Sequence, residues 1–411
     1  MSTNQMNNGN KSNSESSIWK NHIFIKVYLS TFISNLGDKL VVFILPLWIL
    51  SVTESPFLVS IVNAVIVATT ALLTPFTGTM ADRFSRRALM INADILKFFV
   101  MVALVVLVNE NNFSFYIVLV LLILRSFGTS LSAPAANAAI VTFVEEKHIE
   151  DAVALRQTMN QIVTTMAPLL GGVLVGIISY KGIFFIDALT FLISIMILAS
   201  LKFPKDISIK KKRGFFEDMK DGILIILNNT LLKILLLSAA LINILGSALF
   251  LCLQVFVVRE MDLSTLWWGI VFASSPVGVI IGSLLSRKIK INKDFVSSSF
   301  IFVCIVGVLN ILMGLTYNPW LFSFLYFCSG IAFGVSNVYF GVLYRKIVPM
   351  EKQGRFFGLL NSVLLISTPI GITLTGLILE RVTSSTLIII IGTVTSFIAI
   401  FSYMFIRKKE Q

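Results

Sequence analysis

The sequence predicts an all-α integral membrane protein with twelve transmembrane helices arranged as two six-helix bundles. Three observations support this prediction. The composition is too apolar for a water-soluble chain, the apolar residues fall in twelve long runs, and Lys and Arg concentrate in alternate connections between the runs. Of the 411 residues, 56% are hydrophobic and only 13% are charged. Soluble domains carry about 25% charged residues, so lipid must be the solvent for much of this surface.

Each apolar run is long enough for a helix that crosses a bilayer, which needs roughly 20 apolar residues. A helix is required because an open strand would leave backbone groups unpaired in hydrocarbon. The predicted spans, numbered 1 to 12 in chain order, are 24–50, 57–80, 88–108, 114–140, 157–179, 182–201, 232–258, 266–286, 295–316, 320–344, 356–379 and 385–406.

The longest connection between runs divides the spans into six and six. We therefore expect a disordered cytoplasmic tail (1–22), an N-terminal six-helix bundle (23–201), a cytoplasmic linker (202–231), a C-terminal six-helix bundle (232–407) and a cytoplasmic tail (408–411). A repeat links the halves, because Gly78 and Val144 recur as Gly282 and Val348 at the same offset of 204. Halves with equal numbers of spans share one orientation, which indicates a parallel repeat.

The basic residues predict the orientation of the chain. The connections on one side hold nearly all of the Lys and Arg residues, whereas the opposite side holds only Lys181, Arg259 and Arg381. By the positive-inside rule both termini are expected in the cytoplasm, with the protein in the cell membrane as a multi-pass chain. The same rule accounts for the net charge of +12 without a nucleic-acid partner. The first apolar run is too long for a signal peptide and is expected to remain as a helix.

A charged motif lies between spans 2 and 3, where residues 78–87 read GTMADRFSRR. This motif resembles the signature of the major facilitator superfamily, G-x-x-x-D-R-x-x-R-[RK]. Gly78 is expected to permit close helix approach, and Asp82 to face the positive end of a neighbouring helix. The basic residues could pair with acids or lipid phosphates; they are Arg83, Arg86 and Arg87. The alternative is a charged loop that only obeys the positive-inside rule.

Asp94 and Lys97 lie at the start of span 3, close to the basic loop. We expect Asp94 to pair with Arg83 or Arg86 and to brace the cytoplasmic gate. A structural role is favoured for both residues over a role in transport.

Charged residues inside the spans are costly and therefore indicate function. Span 4 carries Arg125, which resembles the arginine motif of the family, and its expected partner is Asp38 in the middle of span 1. We predict that Asp38 takes and releases protons while Arg125 sets its proton affinity. The alternative is a permanent bridge from Asp38 to Lys39 or Arg125. Asp187 of span 6 is a third candidate for proton coupling, close enough to the outer end to be hydrated.

Span 5 contains a second motif, with Pro168, Gly171 and Gly172 in the order A-P-L-L-G-G. It resembles the antiporter motif of the family, which ends G-P-x-x-G-G, although Ala167 replaces the first glycine. Pro168 is expected to bend the helix, and the glycines to allow tight packing. In the family this motif accompanies export. The alternative is an ordinary kink.

The expected cargo cavity lies between the halves, because spans 1, 4, 7 and 10 line it in the family and each carries polar residues here. The first-half candidates are Ser34, Asn35, Thr129 and Ser132. The second-half candidates are Asn243, Ser247, Gln254, Ser329 and Asn337. The second half has no charge at membrane depth, since residues 234–258 carry none, but it has many Phe and Met residues, which suits an apolar or amphipathic substrate.

Several segments resemble the drug–proton antiporter group that includes macrolide efflux proteins: Ser132–Ala135, Leu155 with Asn160–Gln161, Phe185–Ala188, Phe215 with Asp218 and Gly222, and Gly354–Phe356. The resemblance implies a secondary transporter that exports a small amphipathic compound by alternating access, driven by proton influx.

Other functions remain open at this stage. They are an uptake symporter of the same fold, an exporter of an endogenous metabolite such as a siderophore, and a transport-dead scaffold or sensor. The sequence has no GxxxxGK[ST] motif and no catalytic motif, so we expect neither ATP hydrolysis nor another enzyme activity. The expected partners are the substrate, protons and lipid, with no cofactor and no metal, and the chain is expected to be a monomer.

Overall fold

The computed structural model describes residues 21–107, 114–142, 149–201, 223, 226–227, 229–286, 289 and 295–410. The described residues form helices and their connections, without a strand. Spans 1 to 4 are the helices His22–Thr53, Pro56–Arg83, Arg86–Leu107 and Phe115–Thr142. Spans 5 and 6 follow each other without an intervening loop, in the helical segment Ile149–Ala199. The predicted tail and linker fall almost entirely outside the described residues.

The second half repeats this pattern of long helices. Span 7 is Thr230–Val255, which continues as a π-helical turn, Phe256–Glu260. Spans 8 to 12 are Thr265–Leu285, Phe295–Gly314, Pro319–Ile347, Gln353–Ile378 and Ser384–Glu410. Eleven helices of the described residues are long and apolar enough to cross a membrane.

Spans 5 and 6 together cross the membrane twice, because the chain reverses at Ser179. That residue has φ 62° and ψ 171°, which no helical residue adopts. The hydroxyl of Tyr28 at the start of span 1 donates to the carbonyl of Leu155 at 3.4 Å. Arg87 at the start of span 3 donates to the carbonyls of Leu198 at 2.9 Å and Ala199 at 2.6 Å. Both ends of Ile149–Ala199 therefore lie on the side where the chain begins, and the total of twelve crossings is confirmed.

Polar caps fix where several spans begin. The side chain of Asn21 accepts hydrogen bonds from the backbone of Ile23 and Phe24, both at 3.1 Å. Asn229 and Asn318 cap spans 7 and 10 in the same way, and Ser55 caps span 2. Such caps satisfy backbone N–H groups that have no partner inside the helix.

Three separate apolar cores show how the two halves meet. The largest core joins both halves through the outer parts of spans 1, 7 and 8. The other two lie toward the inner side, one built only from the first half and the other only from the second. The halves therefore pack together on the outer side and separate on the inner side, so the structure is open toward the cytoplasm as the basic residues orient it.

An aromatic cluster forms the centre of the shared core. We call it the outer seal and define it by Phe43 of span 1, Phe250 of span 7, and Trp268 and Phe272 of span 8. The ring centroids of Phe43 and Trp268 lie 5.8 Å apart, and those of Phe250 and Phe272 lie 5.1 Å apart. These distances are within the favourable range for aromatic pairs, and they join one half to the other.

Spans 5 and 8 approach each other closely at two glycines. A Cβ atom built on Gly172 would lie 2.9 Å from the carbonyl oxygen of Thr265, and one built on Gly269 would lie 2.7 Å from that of Pro168. A Cβ atom on Gly171 would lie 2.9 Å from the ring of Phe43. The predicted tight packing at Gly171 and Gly172 is therefore confirmed, and Gly172 packs against the opposite half.

Candidate functional site

A cavity of about 360 Å³ opens on the inner side of the outer seal, and we call it the inner cavity. All of its lining residues belong to the first half. The four first-half residues predicted to contact cargo lie together in its wall: Ser34, Asn35, Thr129 and Ser132. Asn35 donates to the side chain of Asn160 of span 5 at 3.4 Å. Contact with cargo stays a prediction.

A network of five charged side chains is buried beside the inner cavity. One oxygen of Asp38 lies 2.7 Å from Arg125 and the other lies 3.1 Å from Lys97. Arg125 also donates to Asp187 at 3.3 Å, and Lys97 lies 2.9 Å from Asp94. We call these five residues the charge cluster. The structure thus brings Asp38, Arg125 and Asp187 together, and the predicted pairing of Asp38 with Arg125 is confirmed.

Asp38 is the most exposed member of the buried charge cluster. The side chain of Asp38 is 12% exposed, whereas that of Asp187 is fully buried. The prediction that Asp187 is hydrated is therefore wrong. Span 6 turns this carboxylate toward span 1, where it meets Arg125 instead of water.

The prediction that Asp94 pairs with Arg86 of the basic loop is also wrong. Both oxygens of Asp94 are used inside the bundle, one by Lys97 and Ser34, the other by Ser194 at 2.7 Å. Asp94 and Lys97 share one face of span 3, three residues apart, and that face points into the first-half bundle. The side chain of Arg83 lies outside the described residues.

Lys97 lies at the centre of the charge cluster, whereas its position at the start of span 3 predicted a structural role close to the basic loop. Its ammonium group contacts the carboxylates of Asp38 and Asp94, and it lies 4.3 Å from the ring centroid of Phe191. A Cβ atom on Gly128 of span 4 would lie 2.8 Å from the Lys97 side chain. That glycine leaves room for the lysine to reach span 1. The sequence feature that could have indicated this buried role is the three-residue spacing of Asp94 and Lys97 inside an apolar run.

The charge cluster contains three carboxylates and only two cations. If all five groups are ionised, it carries one uncompensated negative charge away from water. A buried charge without a partner costs several kcal/mol. One added proton would remove this excess, so the arrangement can bind a proton. Asp38, the most exposed of the three carboxylates, is the member through which a proton could pass between the charge cluster and the inner cavity.

Similarity to known proteins identifies the family. The sequence profile of the Major Facilitator Superfamily matches residues 27–338. The chain belongs to the major facilitator superfamily. As a major facilitator protein it is a multi-pass protein of the cell membrane and a member of a family of transporters.

Relatives of this major facilitator protein include proteins of Bacillus subtilis and Streptococcus pyogenes. The uncharacterized MFS-type transporter YfiS of Bacillus subtilis (strain 168) is 26% identical over 375 residues, which cover 88% of this chain and 87% of the relative. Macrolide efflux protein A of Streptococcus pyogenes is 26% identical over 350 residues, which cover 83% and 85% of the two chains.

Solved structures share the fold at low sequence identity. A bacterial homologue of the human lysosomal transporter Spinster, in an inward-facing and unoccupied conformation, superimposes with a TM-score of 0.75 at 15% identity. The match covers 95% of this chain and 97% of that one. A bacterial homologue of the iron transporter ferroportin, also inward-facing, gives a TM-score of 0.71 at 18% identity, with 94% and 99% covered.

The charged motif of this major facilitator protein differs in part from its prediction. Among the described residues, nothing lies within 4 Å of a Cβ atom built on Gly78, so the predicted close approach is absent in this conformation. Arg87 binds the last carbonyls of span 6, at the negative end of that helix. Arg86 is 8% exposed. The side chains of Asp82 and Arg83 lie outside the described residues.

The second-half candidates do not line the inner cavity. Asn243 accepts a hydrogen bond from Thr368 of span 11 at 3.0 Å, and Ser329 donates to Asn310 of span 9 at 3.3 Å. Ser247 lies against Gly371 of span 11, and Asn337 is exposed. Gln254 is buried close to the outer seal, and neither of its amide atoms has a partner among the described residues. Asn243, Ser247 and Ser329 thus lie between helices of the second half rather than in the wall of the inner cavity.

Proposed function

We propose that this major facilitator transporter exports a small amphipathic compound from the cytoplasm by alternating access, in exchange for protons. The observation that supports it best is the charge cluster with its excess carboxylate, set directly in the wall of a cavity that opens toward the cytoplasm. Proton-binding carboxylates and a cargo cavity are the two components that a proton-coupled carrier requires.

The cargo would enter the inner cavity in the conformation seen here. Its volume of about 360 Å³ lies at the low end of the range for sites of drug-sized ligands. Its wall combines apolar side chains such as Val42 and Met159 with the amides of Asn35 and Asn160. Such a mixture suits an amphipathic compound.

Protons would couple through Asp38. In the proposed cycle, a proton reaches the charge cluster from outside when the outer seal is open, and it leaves from Asp38 into the inner cavity. Loss of the proton restores the excess negative charge. The five groups span helices 1, 3, 4 and 6, so a change in their pairing can alter how the first half packs.

The direction of transport and the drug-like cargo are supported by likeness alone. The relative from Streptococcus pyogenes is named for macrolide efflux, and the A-P-L-L-G-G motif resembles one that accompanies export. An exporter of an endogenous metabolite, such as a siderophore, would fit the same cavity.

The test uses everted membrane vesicles from an efflux-deficient host, with a fluorescent reporter of the pH gradient. Macrolides, lincosamides, tetracyclines, dyes and siderophores are added one at a time. A transported compound should dissipate the proton gradient with the wild-type protein. Asp38→Asn should abolish most of this response, because the asparagine side chain cannot take up and release the proton. The matched control is Asp262→Asn, which changes an exposed acid on the outer turn after span 7.

Each outcome bears on a different part of the proposal. An unimpaired response with Asp38→Asn would disprove its role in coupling. If the protein raises cellular accumulation of the compound rather than lowering it, the chain is an uptake symporter. The absence of gradient-dependent flux for any compound, in vesicles that contain the folded protein, would favour a scaffold or sensor.

A further inference from the structure

We propose that the cargo of this transporter is an amphipathic anion and that Arg156 of span 5 and Lys39 of span 1 bind its anionic group. This inference rests on the proposed function and specifies the chemical class of the substrate. It differs from the reading that a macrolide-like compound is carried, because macrolide antibiotics carry a basic amine.

The first argument is the distribution of ion pairs around the inner cavity. Its wall contains the acids Asp38 and Asp94. Asp38 pairs with Arg125 and Lys97, and Asp94 pairs with Lys97. Lys39 and Arg156 line the same cavity, and among the described residues no carboxylate lies within 4.0 Å of either cation. The wall therefore presents two cations that form no ion pair with any described carboxylate.

The second argument is the environment of Arg156. Its Nε atom is buried, and it has no hydrogen-bond partner among the described residues. A buried donor without a partner is destabilising, and the penalty is larger for a charged group. With no described partner at Nε and with its residue in the cavity wall, Arg156 favours an anionic group placed beside its guanidinium in the inner cavity.

The third argument is the spacing of the two cations. Arg156 and Asn160 lie four residues apart on span 5, and Asn35 and Lys39 lie four residues apart on span 1, so each pair shares a helix face. The hydrogen bond from Asn35 to Asn160 brings the two faces together. Spans 1 and 5 both run from the inner to the outer side. One turn is about 5.4 Å, so Arg156 lies one turn below the asparagines and Lys39 one turn above them.

The remaining wall supplies the apolar half of the site. Val42, Ile66, Met159 and Val163 line the cavity together with the two cations. An amphipathic anion could place its charged group at the asparagine contact, between Arg156 and Lys39, and its apolar part against these side chains. A lipophilic cation in the same position would lie beside the like charges of Arg156 and Lys39.

The anionic group could come from a soluble carboxylate or from the headgroup of a single-chain lipid. The test is equilibrium binding to the purified full-length protein in neutral detergent with three probes. Fusidate is an amphipathic carboxylate, lysophosphatidylglycerol is an anionic lipid, and ethidium is a lipophilic cation. At least one of the anions should bind, and ethidium should bind more weakly.

Two variants that each remove one positive charge test the inference. Arg156→Gln and Lys39→Gln should each weaken binding of the anion about tenfold to a hundredfold, as expected for the loss of a charge-assisted hydrogen bond. Arg156→Lys keeps the charge and should retain more of the affinity than Arg156→Gln. Lys181→Gln removes an exposed cation from the outer turn between spans 5 and 6 and should leave binding unchanged. Monodisperse elution of each variant shows that it is folded.

Binding by fusidate but not by the lipid would support a soluble substrate, and the reverse would support a lipid-derived one. Preferred binding of ethidium, or anion binding that Arg156→Gln and Lys39→Gln leave intact, would overturn the inference. The proposed function is tested separately, because these measurements involve no proton gradient. A transporter that exchanges ethidium for protons but binds no anion would keep the function and lose the anion site.

Discussion

Gly37 holds the buried carboxylate of Asp187 in place by being the smallest residue. A Cβ atom at this position would collide with the carboxylate and with the hydroxyl of Thr190. We therefore expect Gly37→Ala to displace Asp187 from Arg125 and to destabilise the protein by about 1–3 kcal/mol, the usual range for overpacking. Thermal unfolding in detergent measures the stability, and the vesicle assay measures proton exchange.

The control for this substitution is Gly246→Ala in span 7. Among the described residues, nothing lies within 4 Å of a Cβ atom at Gly246, so alanine should be neutral or stabilising by roughly 0.5–1 kcal/mol. Equal unfolding temperatures for Gly37→Ala and the wild type would contradict the close contact between spans 1 and 6.

Part of the charge cluster could be predicted from the sequence and part could not. Asp38 and Arg125 are charges inside apolar runs, and such residues need partners. Their pairing could therefore be predicted, although Lys39 next to Asp38 offered a second possible partner. The position of Lys97 did not follow. Helical spacing shows that Asp94 and Lys97 share a face, but it does not show which neighbouring helix that face meets. The reach of the lysine side chain across Gly128 is set by packing between spans 3 and 4.

The buried amide of Gln254 leads to a second prediction about a single residue. Its amide is buried near the outer seal, without a partner among the described residues. Gln254→Met replaces that amide with an apolar group of similar shape, so it should stabilise the sealed conformation by about 1–3 kcal/mol. The protein should then unfold at a higher temperature and transport more slowly, because the outer side opens less often.

The control is Gln161→Met, which changes an exposed glutamine of span 5. It should alter neither the unfolding temperature nor transport to a comparable extent. A lower unfolding temperature for Gln254→Met would show instead that the amide is satisfied in the sealed conformation.

At the scale of elements, the contact between spans 5 and 8 holds the outer side of the two halves together. The backbones meet at Gly172 and Gly269, and a methyl group on Gly172 would press against the carbonyl of Thr265 at 2.9 Å. We expect Gly172→Ala to shift the population toward a conformation that is open on the outer side. Gly176→Ala is the matched control, because a Cβ atom there meets nothing described within 4 Å.

Spin labels at Lys181→Cys and Arg381→Cys can measure this shift, because both residues are exposed on outer turns, one in each half. The three native cysteines are first replaced by serine. Gly172→Ala should broaden the distance distribution toward longer values, and Gly176→Ala should leave it unchanged. An unchanged distribution with Gly172→Ala would mean that span 8 accommodates the methyl group without moving.

The helices themselves were predictable because length and apolar composition determine a membrane span locally. The chain reverses at Ser179 within the helical segment Ile149–Ala199, without a loop. The sequence nevertheless indicated two spans there, because the charged Lys181 lies between two apolar runs. The interior of the second half was not predictable in the same way. Its polar residues recur at the helical spacing expected of residues that line a cavity. In the structure, however, Asn243 bonds to Thr368 of span 11 and Ser329 bonds to Asn310 of span 9.

For the whole molecule, the three cores define what must change during alternating access. In the conformation seen here, the shared core joins the halves on the outer side while each half keeps a core of its own on the inner side. Opening the outer side separates the aromatic groups of the outer seal. No local pattern predicts which end is closed, because that depends on contacts between residues about 200 positions apart in the chain.

Arg259 supplies a polar contact between the halves on the outer side. Its guanidinium donates to the backbone carbonyl of Glu54, which ends span 1 in a left-handed conformation with φ 52°. Arg259 is exposed, so the contact should contribute only about 0.5–1.5 kcal/mol. That is still a two- to tenfold change in a conformational equilibrium. We expect Arg259→Gln to raise the outward-open population by this factor, as measured with the same pair of spin labels.

The combination of Arg259→Gln with Gly172→Ala tests whether the outer side closes as a unit. The two contacts lie on different spans of the second half and share no partner, so their effects on the free energy of opening should add. Arg259→Lys keeps a donor and should shift the distances less than Arg259→Gln. If the double variant opens no further than Gly172→Ala alone, then the contact between spans 5 and 8 controls closure, and the hydrogen bond of Arg259 makes no independent contribution.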